Sequence, residues 1–262
     1  MTSQAPQREP IFNVPAVVTA MLVVLAGVHV LRQAFGEANA EWLLLALAFI
    51  PDRYAGHAAG WPGGTISAWT SPLTHMAVHG DWTHLAVNSA SLLAFGGIIA
   101  RRTGAVRFIA FTLFAGLAGA LAFYIANPAI AAPMIGASGA IAGMMAAALR
   151  LLFSAVDSAP HGAAGEIIRY RPDLIKLTGL AAALSDRRIR SATVVWLALN
   201  ALGAYGLGTP GHVGEIAWES HIGGFLAGLF GFGWFDAVRS AGPNEISPAS
   251  EQAQTGERSQ PP

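Results

Sequence analysis

The sequence predicts an all-α protein, a polytopic membrane bundle of six transmembrane helices. Three observations predict it. Of the 262 residues, 53% are hydrophobic and 11% charged, whereas a soluble domain carries about 25% charged residues, and the mean hydropathy is +0.48. The apolar residues gather into runs, most of them long enough to cross a hydrocarbon core about 30 Å thick. The lysines and arginines fall almost entirely on one side of the alternation that those runs produce. The formal net charge of +0 therefore matters less than where the charges sit. No basic tract points to nucleic acid. The absence of cysteine removes disulfides, thiolate nucleophiles and thiolate metal sites together.

Taken in order, residues 1–10 are polar and read as a disordered tail. Residues 14–31 form the first span; no basic segment directly precedes a short apolar core there, so the run reads as a retained helix and not a cleaved signal. Residues 42–50 are apolar but too short to cross, which places them in the interface. Residues 51–72, with Pro62, Gly63, Gly64, Tyr54, Trp61 and Trp69, read as a loop whose rings sit at headgroup level. Further spans follow at 82–100, 106–126 and 133–153. Residues 154–190 are too polar to span and read as a connecting loop with room for a short surface helix. Residues 191–207 and 216–235 supply the fifth and sixth spans, and the chain beyond reads as a second tail. The layout is thus a tail (1–10), a six-helix membrane domain (11–236) with a partly interfacial first loop (32–81) and a cytoplasmic loop (154–190), and a tail (237–262).

With the N-terminus cytoplasmic, only Arg32 and Arg53 of the fifteen Lys and Arg residues fall outside. That asymmetry and the even number of spans put both termini in the cytoplasm.

One hydroxyl lies among glycines and alanines at the front of the fourth run, in Met134-Ile135-Gly136-Ala137-Ser138-Gly139-Ala140-Ile141-Ala142-Gly143. Such a stretch has two readings. Gly139 and Gly143 have the small-xxx-small spacing that lets membrane helices approach closely, and Ser138 could bond its own backbone. Alternatively Ser138 is a nucleophile, with Gly136 admitting a substrate backbone and helix-start amides facing an oxyanion. The second reading needs a base. Polar groups inside spans are costly and mark function; here they are His84 and Asn88, on one face of the second span, and Glu219 and His221 in the sixth. Ser138 lies five residues past Pro133 and His221 five past Ile216, so a rise of about 1.5 Å per residue puts both roughly 8 Å below the outer face. Gly139 and Gly143 opposite Gly224 and Gly228 would bring the hydroxyl to the imidazole.

Gly136-Ala137-Ser138-Gly139, His84 with Asn88 after His79, and His221-Ile222-Gly223-Gly224 with Gly228 together resemble the rhomboid family of intramembrane serine proteases. The resemblance implies a serine endopeptidase in which Ser138 is the nucleophile and His221 its base. It also implies that His84, Asn88 and the Ser138 amide hold the oxyanion, with Gly136 shaping that site. The family works as a dyad, without the orienting carboxylate of a triad; Glu219, two before His221, projects from nearly the opposite side of its helix. Two departures stand out. Thr70-Ser71 replaces the Trp-Arg that the family often has in its first loop, and Ala142 replaces a Tyr that many members place against the base.

The implied partners are single-span membrane proteins, cut near the outer face where small or helix-breaking residues loosen the backbone, together with membrane lipid. No cofactor, metal or nucleic acid is expected. The short tails and the lack of an Arg- and Ser-rich transit segment point to a bacterial inner membrane. Three rivals compete: a non-catalytic rhomboid-like protein that binds membrane helices, a zinc site at His75, His79 and His84 that lacks His-Glu-x-x-His, and a transporter, which would show repeated halves and broken helices.

Overall fold

The computed structural model describes residues 14–160, 162–204 and 217–236. Both predicted tails, the end of the fifth predicted span and Ile216 at the start of the sixth lie outside the described residues. The chain winds through α1 (Ala16–Ala34), α2 (Glu37–Leu47), α3 (Gly64–Thr74), α4 (Trp82–Ser91), α5 (Gly97–Thr103), α6 (Ala105–Ala126), α7 (Ser138–Ser158), α8 (Ala164–Tyr170), α9 (Leu180–Ser185), α10 (Arg187–Ala204) and α11 (Trp218–Phe235). A π-turn over Leu92–Gly96 joins α4 to α5, so the two form one rod, Trp82–Thr103.

Among the described residues four helices are long and apolar enough to cross a membrane: Ala16–Ala34, Trp82–Thr103, Ala105–Ala126 and Ser138–Ser158. The protein is an all-helical membrane bundle. α10 and α11 fall outside that set for different reasons: α10 opens on Arg187, Arg188 and Arg190, and α11 opens on Glu219, Ser220 and His221 before a run of phenylalanines, leucines and glycines.

Those glycines explain the packing. The α7 helix is the hub, with 72% of its apolar window buried against 22% for α1. A Cβ on Gly224 would run into the Gly139 carbonyl, and one on Gly228 into the Gly143 carbonyl, so α7 and α11 lie backbone against backbone. Without a hydrophobic drive between helices in lipid, close van der Waals approach of this kind is what holds such a pair together. The third partner, α6, brings Gly119 to the same crossing, where a Cβ would meet Ser220 of α11.

Around this core the structure departs from the sequence reading at three places. The fourth span is not 133–153 but Ser138–Ser158, because Gly136 turns the chain with φ +103°. Ser138 is therefore the first residue of its helix and not a turn inside it, and the depth reckoned from helical rise does not apply to it. The supposed loop at 51–72 contains α3, which begins after the left-handed Gly63 and carries Pro72 within it. The stretch 154–190 holds the end of α7, α8 and α9, and α10 begins at Arg187.

The first loop is tied down by arginines. Arg53, 2% exposed, donates to the carbonyls of Leu45 (2.6 Å) and Pro62 (3.0 Å). Arg32 donates to those of His79 and Gly80, both at 2.8 Å. An antiparallel pair of backbone bonds, Phe49 N–H to Met134 O (3.0 Å) and Met134 N–H to Phe49 O (2.8 Å), then couples the loop to the segment before Ser138.

Candidate active site

The turn before Ser138 is built from its neighbours. Gly136 donates its N–H to the His75 carbonyl (2.9 Å), and any side chain there would strike the His84 ring, since a Cβ would stand 2.6 Å from His84 Nε2. Positive φ and that crowding together demand glycine. Ala137 follows at φ −79°, ψ 0°, and the helix starts at Ser138. Its N–H is therefore one of the first four in α7 that have no intrahelical acceptor.

Opposite it stands His221, the fourth residue of α11. Ser138 Oγ lies 2.7 Å from His221 Nε2, and His221 Nδ1 lies 2.8 Å from Asn200 Oδ1 on α10. With the imidazole neutral and Nδ1 protonated, Nδ1–H donates to Asn200 and Nε2 accepts from the Ser138 hydroxyl. The close crossing of α7 and α11 brings together two side chains 83 positions apart. Ser138 does not spend its hydroxyl on its own helix, as Ser154 does on the Arg150 carbonyl.

Asn88, Ser138, Ala142, Trp196 and His221 line a cavity of about 160 Å³. The Asn88 side chain donates from Nδ2 to the His84 carbonyl (2.9 Å), which leaves a second N–H on that nitrogen. His84 is set by the start of α4: Asp81 caps the helix, accepting from the His84 N–H at 2.8 Å, a cap that satisfies an otherwise orphaned donor. Its ring lies edge-to-face with His79, centroids 5.0 Å apart, and against Gly136. The five predicted site residues thus gather at one end of the bundle, Ser138, His221 and Asn88 around the cavity and His84 behind Gly136.

A family model, the Rhomboid domain, matches residues 66–237. The chain belongs to the rhomboid family. Over 86 residues this rhomboid is 36% identical to Rhomboid protease GluP of Bacillus subtilis, a stretch covering 33% of this chain and 16% of that protein. Over 93 residues it is 31% identical to the putative rhomboid protease YdcA of the same organism, covering 36% of this chain and 45% of that one. The chain therefore matches less than half the length of either relative.

The two departures of this rhomboid from its family pattern have structural counterparts. Where the first-loop Trp-Arg is missing, Arg53 and Arg32 anchor the loop from other positions, and Thr74 Oγ1 adds a bond to the Leu47 carbonyl (2.9 Å). Where Ala142 stands for tyrosine, the aromatic rings bounding the cavity are Phe95 and Trp196, the latter stacked on Phe225 with centroids 4.2 Å apart. Glu219 accepts from Asn127 Nδ2 (3.0 Å). His75 and His79 are buried at the end of the first loop. Burial pushes both imidazoles down to about 4, so both are neutral near pH 7. His75 pairs with the Ser71 carbonyl (3.0 Å), and no group of three metal-binding side chains occurs among the described residues. The residue that sequence reasoning missed is Asn200. Its signal was present: an amide inside an apolar run is costly in lipid.

Proposed function

We propose that the chain is an intramembrane serine endopeptidase that cleaves single-span membrane proteins just below the outer face of the bilayer. The carrying observation is the 2.7 Å contact between Ser138 Oγ and His221 Nε2. In this reading His221 Nε2 takes the hydroxyl proton as Oγ attacks the scissile carbonyl carbon. The tetrahedral oxyanion accepts from the Ser138 N–H, Asn88 Nδ2 and His84, while Gly136 shapes the site by leaving room for the His84 ring. His221 then passes its proton to the leaving amine, an acyl-enzyme ester remains on Ser138, and water activated by the same imidazole hydrolyses it. The cavity beside Ser138 supplies the room for that water.

The topology that goes with this reading has six spans, α10 and α11 completing the four apolar helices, and both termini in the cytoplasm of a bacterial inner membrane. The side chains of Arg32 and Arg53, the two exceptions to the charge asymmetry, are buried and bonded to backbone carbonyls. They are structural cations and not loop charges, which supports the orientation.

Labelling with an activated phosphonate tests the proposal. Wild type should be modified at Ser138 and should cleave a transmembrane reporter; Ser138→Ala should do neither. Cleavage by Ser138→Ala at the wild-type rate would overturn the mechanism, and a folded wild type that neither labels nor cleaves would favour the non-catalytic, helix-binding reading.

A further inference from the structure

We propose that Asn200 is the positioning residue of this site, holding the His221 proton on Nδ1 so that Nε2 faces Ser138 as an acceptor. The inference rests on the reading of Ser138 and His221 as nucleophile and base, and extends the dyad to a Ser-His-Asn line.

An asparagine in a membrane helix has a common structural use, which is to return an N–H to its own backbone. Asn88 does this to the carbonyl of His84, and Asn127 to that of Phe123. Asn200 does not. Its Oδ1 is directed at His221 Nδ1, and its Nδ2 is buried with no partner among the described residues. The polar atom is thus committed to the imidazole, and burying the rest of the amide costs free energy that local bonding does not recover.

The register that brings the two together is fixed by a second pair one turn away. Trp196 precedes Asn200 by four residues on α10, and Phe225 follows His221 by four on α11. The helices run in opposite senses, so the two pairs form successive rungs. The Trp196 and Phe225 rings stack at 4.2 Å with planes 14° apart. That broad contact sets the height at which Asn200 meets His221. The α7 side offers no ring of its own beside the base, because position 142 is alanine.

The chemistry requires such a partner. A neutral imidazole has two tautomers, and only the one protonated on Nδ1 can accept the serine proton at Nε2. An acceptor at Nδ1 selects that tautomer and fixes the ring plane, the role a carboxylate plays in a Ser-His-Asp site. An amide oxygen does the same without placing a charge in the membrane. Turned the other way, the amide would donate to Nδ1 and leave the proton on Nε2, where it blocks the base. Aspartate can only accept, so it separates these two cases.

The experiment compares wild type, Asn200→Leu and Asn200→Asp as full chains in lipid nanodiscs. It reads reporter cleavage, the rate of Ser138 labelling by phosphonate, and the ¹⁵N signals of His221. Wild type should show the Nδ1-protonated tautomer. In Asn200→Leu that preference should be lost, with kcat and labelling reduced roughly 10- to 100-fold, the range found on removing the partner that orients a metal-bound histidine, and KM changed less than about twofold, as expected when ground-state binding is untouched. Asn200→Asp should restore most of both. Wild-type kcat or an unchanged tautomer in Asn200→Leu, or an Asn200→Asp as slow as Asn200→Leu, overturns the inference. Those outcomes leave the nucleophile standing if wild type still labels at Ser138. If wild type does not label, the reading of Ser138 falls, and the ¹⁵N signals alone still decide whether Asn200 holds Nδ1.

Discussion

Asn88 has two N–H groups on one nitrogen, and they do different work. One returns to the His84 carbonyl within α4; the other is available beside the cavity that Ser138 lines. The Asn88→Ala change removes both, but the His84 carbonyl keeps its ordinary helical N–H, so folding should be little affected. Loss of a single oxyanion donor costs about 3 to 4 kcal/mol of transition-state stabilisation. The expected outcome is a kcat lower by roughly 10²- to 10³-fold, with thermal unfolding of the purified protein near that of wild type. A variant that turns over reporter at the normal rate would remove Asn88 from the oxyanion site.

Helix contact in this protein is a matter of missing side chains. The α7 and α11 backbones approach so closely that Gly224 and Gly228 face peptide carbonyls, which have no rotamer into which to withdraw. Gly27 on α1 is different, since a Cβ there meets nothing within 4 Å. Thus Gly224→Ala should destabilise by at least the ~1–3 kcal/mol typical of overpacking. It should also move His221, three residues earlier, off Ser138 and abolish reporter cleavage. By contrast, Gly27→Ala should be neutral or stabilising by up to about 1 kcal/mol, because alanine loses less backbone freedom in a helix. Thermal melts of the two variants in one detergent make the comparison; equal melting would refute the close-packing account. At this scale the sequence was also misleading. Pro62, Gly63 and Gly64 read as loop signals, yet they form the turn that launches α3, and the bonds of Arg53 to carbonyls on either side hold that helix in place.

Across the whole molecule, the site end and the opposite end are held by different means. The rod Trp82–Thr103 carries Asn88 in its first half and Arg102 in its last turn, and the Arg102 guanidinium pairs with both carboxylate oxygens of Asp236 (2.8 and 2.9 Å) and also donates to the carbonyls of Pro172 and Ile175. This joins α5, the end of α11 and the segment after α8 in one buried cluster, with the two side chains 1% and 3% exposed. Breaking a buried pair by removing one partner costs about 3–5 kcal/mol, chiefly because the remaining charge is stranded. Arg102→Met should therefore lower the melting temperature sharply. At a temperature where it stays folded, its kcat should match wild type, because the cluster lies a full helix length from Ser138. A selective loss of kcat without loss of stability would show that the cluster acts on the site.

Composition and spacing by themselves determined that this is a helical membrane protein, that small residues recur where helices must touch, and that Ser138, His84, Asn88 and His221 are the polar groups worth pairing. These are properties of residue type and periodicity, which lipid makes nearly obligatory. The spacing also indicated which glycines face each other, because a four-residue repeat defines one side of a helix wherever that helix goes. Only the tertiary structure decided that Ser138 begins its helix, since a left-handed glycine stabilised by the His75 carbonyl outweighs the apolar run around it. Likewise Arg32 and Arg53, which read as loop charges, are buried because folding supplies backbone carbonyls to both, for Arg32 those of His79 and Gly80 across the fold and for Arg53 those of Leu45 and Pro62 within the folded first loop. The partner of the His221 ring was undecidable from the chain alone: whether Asn200 bonds its own helix or its neighbour depends on how α10 slides along α11, and a stacked Trp and Phe set that height.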